Sequence, residues 1–218
     1  ENKMGKILMD IRGELGGKPT PAKDNSDNSS VLLIGNSQIA KIMSDRFSSR
    51  VNLETSSNTF TIAQSKRFVE NELKSVPDKV VIHQVENEIK NVNNENFCTE
   101  VARIKQEMSE LVSKCKQLMP SAEILISLGV HKPMVNDMRD QALLATNAAL
   151  HTIKDVSFVD NANISNTASF APDGIHLTDE GTKLLASNIR RKVEPMAARY
   201  HTSPSRPARD QRTQQRPY

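Results

Sequence analysis

The sequence predicts an α/β fold built on a parallel β-sheet with helices on both faces. Short apolar, β-branched runs, typical of buried strands, alternate along the chain with longer segments of helical period. Strands separated by helices pair in parallel, because each crossover returns the chain to the same end of the sheet. A turn adds a third observation, since Val31–Ile34 runs directly into Gly35-Asn36-Ser37 and then into an amphipathic segment.

Five strands and five helices account for the middle of the chain. The strands are predicted at Val31–Ile34, Val51–Thr55, Lys79–Gln84, Glu123–Leu128 and Ser157–Asp160. The helices are predicted at Gln38–Ser48, Ile62–Ser75, Asn96–Met119, Asp137–Lys154 and Asp179–Lys192. The carboxyl ends of parallel strands share one edge of the sheet, so functional residues are expected at that edge.

Composition divides the chain into four parts. Apolar residues spaced four and three apart predict a short helix in residues 1–17, either the end of a coiled coil that makes homo-oligomers or a solitary helix packed on the domain. Residues 18–30, rich in Pro, Asp, Asn and Ser, predict a linker. Residues 31–193 hold the α/β domain, and residues 194–218 predict a disordered basic tail.

Charge is distributed unevenly. The whole chain carries +3, whereas from Arg190 to the end eight basic residues face two acidic ones, a balance of +6, so the preceding body carries −3. The tail is therefore expected either to contact RNA or another nucleic acid or to serve only as a linker to a further domain. The sequence has no Gly-rich phosphate loop and no metal-ligand spacing, so we predict no cofactor and no metal.

The cysteines and the hydropathy predict a cellular setting. Cys98 and Cys115 lie in one predicted helix, too far apart along it to bridge each other. The sequence shows no signal peptide and no apolar run of spanning length, which predicts no transmembrane segment. A reducing, cytoplasmic (intracellular) compartment is therefore expected.

Two stretches carry residues suited to acyl transfer. Ser37 follows a strand and opens a helix, which exposes its hydroxyl and places its N–H at a helix N-terminus. Asp173 and His176 lie three apart around Gly174, so the carboxylate can hold one imidazole nitrogen and leave the other for a serine, as in a Ser–His–Asp triad. The alternatives are an ordinary turn with an N-cap at Ser37 and a structural hydrogen bond at His176.

From about Ser30 to Val193 the chain resembles the SGNH (GDSL-like) hydrolase superfamily. Gly35-Asn36-Ser37 resembles the first block, usually Gly-Asp-Ser. Asp173-x-x-His176 resembles the last block, and Val80–Glu88 resembles the third block. Pro120–Leu128 resembles the family's proline-led fourth strand. The closest likeness is to SGNH domains found in animal non-LTR retrotransposon proteins.

The resemblance implies a three-layer α/β/α, flavodoxin-like fold with a central five-stranded parallel sheet. It also implies a serine esterase that hydrolyses acetyl or lipid esters, with Ser37, His176 and Asp173 as the triad. Its oxyanion hole would use the Ser37 N–H, an N–H after the second strand near Asn58, and the Asn87 side chain.

Three departures from the family pattern concern the oxyanion hole and the turn. No glycine stands between Gly35 and Gly129, so the second block lacks its glycine, and the third-block glycine is Val85. The residues near the missing second-block glycine are Ser57, Asn58 and Thr59. Asn36 replaces the usual aspartate and so loses a charge that would anchor the turn. One lost oxyanion donor costs roughly 10²–10³ in rate, which leaves a slow enzyme or a degenerate SGNH-like module that binds RNA or a protein partner.

Two further histidines flank the predicted site. His83 ends a predicted strand and is expected to be a structural histidine with satisfied hydrogen bonds. His131 follows the fourth strand near the expected mouth of the site, where either a substrate-facing or a structural role is open.

Overall fold

The computed structural model describes residues 28–42, 44–56, 59, 61–132, 138–174 and 176–194. The predicted helix in 1–17, most of the linker in 18–30 and the tail beyond Glu194 lie outside the described residues, so the oligomer and the tail remain predictions. Within the described residues the chain is an α/β domain, as predicted.

The five predicted strands form a single parallel sheet. They are β1 (Ser29–Gly35), β2 (Val51–Ser56), β3 (Lys79–His83), β4 (Glu123–Ser127) and β5 (Ser157–Val159), in the spatial order β2-β1-β3-β4-β5. β1 begins two residues earlier than predicted, inside the expected linker. The cause is Asp78, whose carboxylate accepts the N–H and the hydroxyl of Ser30 at 2.9 and 3.0 Å and holds the start of the strand in place.

Six α-helices flank the sheet in the described part of the chain. They are α1 (Ser44–Phe47), α2 (Ile62–Asn71), α3 (Val85–Glu88), α4 (Phe97–Leu118), α5 (Met138–Leu150) and α6 (Asp179–Val193). Short 3₁₀ helices lie at Ile39–Lys41, Ile89–Asn91 and Thr167–Ser169. α3 and the 3₁₀ helix after it were not predicted, because so few residues do not allow a helical period to appear.

The prediction of a single helix over Gln38–Ser48 was wrong. The chain instead forms a 3₁₀ helix, an extended residue at Ile42 and the short α1. The buried side chains explain the break: Ile39 and Ile42 are three apart, which fits the 3.0 residues per turn of a 3₁₀ helix. Phe47, the buried residue of α1, lies five residues beyond Ile42 and so does not continue the three- or four-residue spacing of one helix.

Two apolar layers sandwich the sheet. Successive strand residues point to opposite faces, so Leu32 and Ile34 pack in one layer and Val31 and Leu33 in the other. The first layer is covered by α2, α4 and α5, and the second by α1 and α6. Burial on both faces is why β1, β3 and β4 contain continuous apolar runs, whereas the edge strand β2 is partly exposed.

Both cysteines lie on α4, and neither forms a disulfide. Cys98 is exposed, whereas Cys115 packs in the first layer, where burial raises the pKa of its thiol to about 12. No helix in the described part of the chain is long and apolar enough to cross a membrane.

Candidate active site

A cavity of about 560 Å³ opens at the edge of the sheet where the strands end. Ser37 after β1, Asn87 in α3, and Asp173 and His176 before α6 all line it. The topology therefore brings four of the five predicted site residues to one cavity. The fifth, Asn58, lies outside the described residues.

Ser37 is exposed in the turn between β1 and the first 3₁₀ helix. The preceding Asn36 is buried and shapes this turn, because its side-chain oxygen accepts the Gln38 N–H at 2.9 Å. Gly35 is required by a close approach, since a Cβ there would lie 2.7 Å from the His83 carbonyl oxygen. The buried flanks thus present the serine hydroxyl outward at the cavity wall.

Asp173 holds His176 through two hydrogen bonds. One carboxylate oxygen lies 2.6 Å from the imidazole Nδ1, and the other accepts the His176 backbone N–H at 2.9 Å. Gly174 between them has a φ of 63°, a left-handed conformation that glycine adopts without strain. The loop therefore fixes the orientation of the imidazole through a local motif, with both side chains about half exposed.

Ser37 and His176 line the same cavity. Among the described residues, no hydrogen bond joins the Ser37 hydroxyl to the His176 imidazole. Catalytic hydrogen bonds are often long in a site without substrate and shorten when substrate binds.

The helix α3, which carries Asn87, is held in place by contacts of the adjacent Glu88. The Glu88 carboxylate accepts the Ile62 N–H at the start of α2 at 2.7 Å and lies 3.4 Å from the Arg103 guanidinium on α4. That guanidinium is itself bound by Glu100, a hydrogen bond that raises the pKa of Arg103. The helix that carries Asn87 is therefore pinned to two longer helices.

Of the three residues near the position where the second block lacks its glycine, Ser57, Asn58 and Thr59, the structure describes Thr59. Its hydroxyl donates to backbone carbonyl oxygens, with Ser56 at 3.0 Å and Gly35 at 3.3 Å. The side chain is buried and serves the fold of the loop.

Sequence reasoning missed the buried carboxylate beneath the Ser37 turn. Glu86 is 8% exposed, and its carboxylate accepts the Asn36 side-chain amide at 3.1 Å. The charge that position 36 lacks is therefore supplied by the helix after β3. The sequence carries no clear signal for this burial, because Glu86 stands three residues past the end of β3, where a charged side chain is usually exposed.

His83 has the structural role predicted for it, since it is fully buried with both ring nitrogens in hydrogen bonds. His131 forms a second imidazole–carboxylate pair, with its Nδ1 2.7 Å from Asp140 on α5. Asp140 lines the cavity, so this pair borders the site on the side of β4. No group of three or more metal-ligating residues lies together in the parts of the chain that the structure describes.

Solved structures place this fold among lipolytic hydrolases. A putative acylhydrolase from Bacteroides fragilis matches with a TM-score of 0.60 and 20% identity over 88% of this chain and 97% of that one. A member of the lipolytic G-D-S-L family from Veillonella parvula matches with 0.59 and 12% identity over 74% and 96%. A mutant of the acetyl-xylooligosaccharide esterase Axe2 from Geobacillus matches with 0.58 and 17% identity over 77% and 94%.

The chain therefore has the three-layer α/β/α fold of the SGNH and GDSL hydrolases. At these identities the likeness establishes the fold. No protein-family profile and no curated protein sequence matches the chain.

Proposed function

We propose that this protein is a slow serine esterase of the SGNH type that hydrolyses acyl esters. The observation that carries the proposal is the shared cavity, which is lined by an exposed serine after β1 and by a carboxylate-held histidine before α6. Both elements are needed for nucleophilic acyl transfer.

The mechanism assigns one role to each residue. The Ser37 oxygen attacks the ester carbonyl carbon while His176 Nε2 takes the hydroxyl proton, and Asp173 keeps the remaining proton on Nδ1. The C–O bond to the alcohol then breaks, and the alcohol leaves with the proton from His176. Water, activated by the same imidazole, attacks the acyl-enzyme and releases the carboxylic acid and free Ser37.

The oxyanion is stabilised by the Ser37 N–H and the Asn87 side-chain amide. Since the second block supplies no glycine, the third donor of the family pattern is missing or misplaced. One missing donor lowers the rate by roughly 10²–10³, which is why we expect a slow enzyme.

The cavity suits an acyl group of modest size. Its apolar wall consists of Ile89, Val130 and Leu143, and its volume is about 560 Å³. The fold neighbours named as an acylhydrolase and an acetyl-xylooligosaccharide esterase support acyl esters as the substrate class. An acetyl or lipid ester is therefore the proposed substrate.

The experiment combines turnover with covalent labelling of the full chain. We expect hydrolysis of p-nitrophenyl acetate above the buffer rate and a single fluorophosphonate adduct that mass spectrometry assigns to the peptide containing Ser37. The urea-unfolded protein is the control, since unfolding separates Ser37 from His176. No turnover together with no adduct, or an adduct on another serine, would contradict the proposal.

A second candidate function is the binding of RNA through the basic tail, in an SGNH-like module that has lost catalysis. The altered second and third blocks and the +6 balance from Arg190 onward favour it. From the sequence we also infer a likeness to retrotransposon SGNH domains and a cytoplasmic setting.

The tail hypothesis predicts steeply salt-dependent, sequence-independent binding that is lost when the chain ends at Val193. The chain that ends at Val193 carries no net charge, because Arg190, Arg191 and Lys192 offset the −3 of the residues before them, so it offers phosphate no net attraction. Titration of full and truncated chains with single-stranded RNA at low and high salt measures both effects. Equal affinity of the two chains would assign binding to the α/β domain instead.

A further inference from the structure

Both neighbours of Ser37 are tied down by buried side chains from β3 and α3. Asn36 donates its amide to Glu86 at 3.1 Å, and Gln38 offers its side-chain oxygen to His83 Nε2 at 3.1 Å. All four of these anchoring side chains are at least nine-tenths buried. The conformation of the turn is therefore set by buried groups that form no hydrogen bond with the Ser37 side chain.

Glu86 joins the ends of three strands at the edge of the sheet. One carboxylate oxygen accepts the Asn36 amide after β1, and the other accepts the Val130 N–H after β4 at 2.9 Å. The second oxygen also lies 3.3 Å from Nε2 of His83, at the end of β3. A carboxylate suits this place because all its neighbours present hydrogen-bond donors.

The hydrogen-bond directions below the turn are consistent with one another. His83 Nε2 faces two acceptors, on Gln38 and Glu86, so it carries the proton. Nδ1 is then the acceptor for the Ser127 hydroxyl at 3.0 Å, which in turn receives the Asn161 amide at 3.0 Å. Every donor in this network finds an acceptor only if Glu86 is acceptor-only.

We propose that Glu86 is the positioning residue of the Ser37 turn and that Asn36 and Glu86 work as a pair. The charged partner of this pair is the Glu86 carboxylate at the start of α3, and the neutral partner is the Asn36 amide in the turn. This inference rests on the proposed esterase function for its catalytic readout, although the pairing has its own readout in stability.

The single variant Glu86→Gln is expected to lower kcat about 10- to 100-fold with little change in KM. An amide has one acceptor oxygen and one donor nitrogen, so either Asn36 or Val130 loses its acceptor. If Asn36 rotates to restore one bond, its oxygen no longer accepts the Gln38 N–H and the turn shifts. The other single variant, Asn36→Asp, places two carboxylates together in a buried site and is expected to lose activity to a similar extent.

The double variant Asn36→Asp/Glu86→Gln exchanges the two groups and is expected to recover kcat to within about threefold of wild type. The new amide at position 86 then donates to the new carboxylate at position 36, whose other oxygen still accepts the Gln38 N–H. Net charge is unchanged by the exchange. A general structural defect would accumulate in the double variant, so recovery distinguishes positioning from simple damage.

Kinetics with p-nitrophenyl acetate and urea unfolding of all four proteins test the pair, with Glu110→Gln, an exposed carboxylate on α4, as the control. Wild-type kcat in Glu86→Gln, or a double variant as slow as the slower single one, would overturn the proposal. Should Glu86→Gln not fold, Glu86→Asp serves instead, because its shorter carboxylate cannot reach both Asn36 and Val130. Full activity in Glu86→Asp would overturn the proposal equally.

If wild type shows no turnover and no fluorophosphonate adduct, the esterase function fails, and urea unfolding of the four proteins tests the pairing alone. Recovered stability in the double variant supports the pairing, and additive losses of stability refute it.

Discussion

Replacing Ser37 by alanine is expected to reduce ester hydrolysis to the buffer rate while leaving the melting temperature within about 1 °C of wild type. The reason is positional, because Ser37 is exposed in its turn and its hydroxyl makes no hydrogen bond to another described residue. Removal of that hydroxyl therefore costs the fold little and removes the nucleophile entirely. Initial rates with p-nitrophenyl acetate and thermal unfolding of both proteins measure the two effects.

The matched control for this prediction is Ser49→Ala. Ser49 is also exposed and also in a turn, but it precedes β2 and so lies at the opposite edge of the sheet. Its variant should keep wild-type rates. Equal rates in Ser37→Ala and wild type would show that another group carries out the hydrolysis.

The variant Asp173→Asn is expected to lower kcat/KM by roughly 10⁴-fold, through the tautomer of His176. The asparagine oxygen can keep the bond to the His176 backbone N–H, now 2.9 Å, so the loop stays in place. Its amide nitrogen then faces Nδ1, now 2.6 Å from the carboxylate, and a donor there forces the imidazole proton onto Nε2. The nitrogen that should accept the Ser37 proton is then already protonated.

The rate constant, the melting temperature and fluorophosphonate labelling of Ser37 test this prediction together. Asp160→Asn is the control, because Asp160 also accepts a local backbone N–H, from Ala162 at 2.9 Å, without a histidine partner. A loss of less than about tenfold in Asp173→Asn would contradict the triad and assign the Asp173–His176 pair to loop structure.

Local features of this chain could be predicted from the sequence, because their causes lie within a few residues. The central strands β1, β3 and β4 are indicated by apolar runs buried on both faces, as Val80 in the first layer and Val81 in the second illustrate. The Asp173–His176 hydrogen bond spans three residues around one glycine, so spacing alone suggests it. The Ser37 turn is indicated by an apolar strand that ends in Gly35-Asn36-Ser37. The reason that position 35 must be glycine, the nearby His83 carbonyl oxygen, lies on another strand and is visible only in the structure.

The same local reasoning failed where two weak signals competed. The segment from Gln38 to Ser48 contains enough apolar residues for a helix, yet burial of Ile42 and Phe47 requires a break between them. That break depends on where the second apolar layer lies, and the sequence does not contain this information. Tertiary packing outweighs weak helical propensity in such a short segment.

The buried hydrogen bonds of Glu86 with Asn36 and Val130 were decided by the tertiary structure alone. Asn36 and Glu86 are 50 residues apart, and Glu86 and Val130 are 44 apart. Their contacts depend on the order β2-β1-β3-β4-β5 and on the register in which Gly35 pairs with His83. A strand pattern indicates which residues are buried, whereas only the assembled sheet decides which buried donor meets which acceptor, because hydrogen bonds require atoms within about 3 Å.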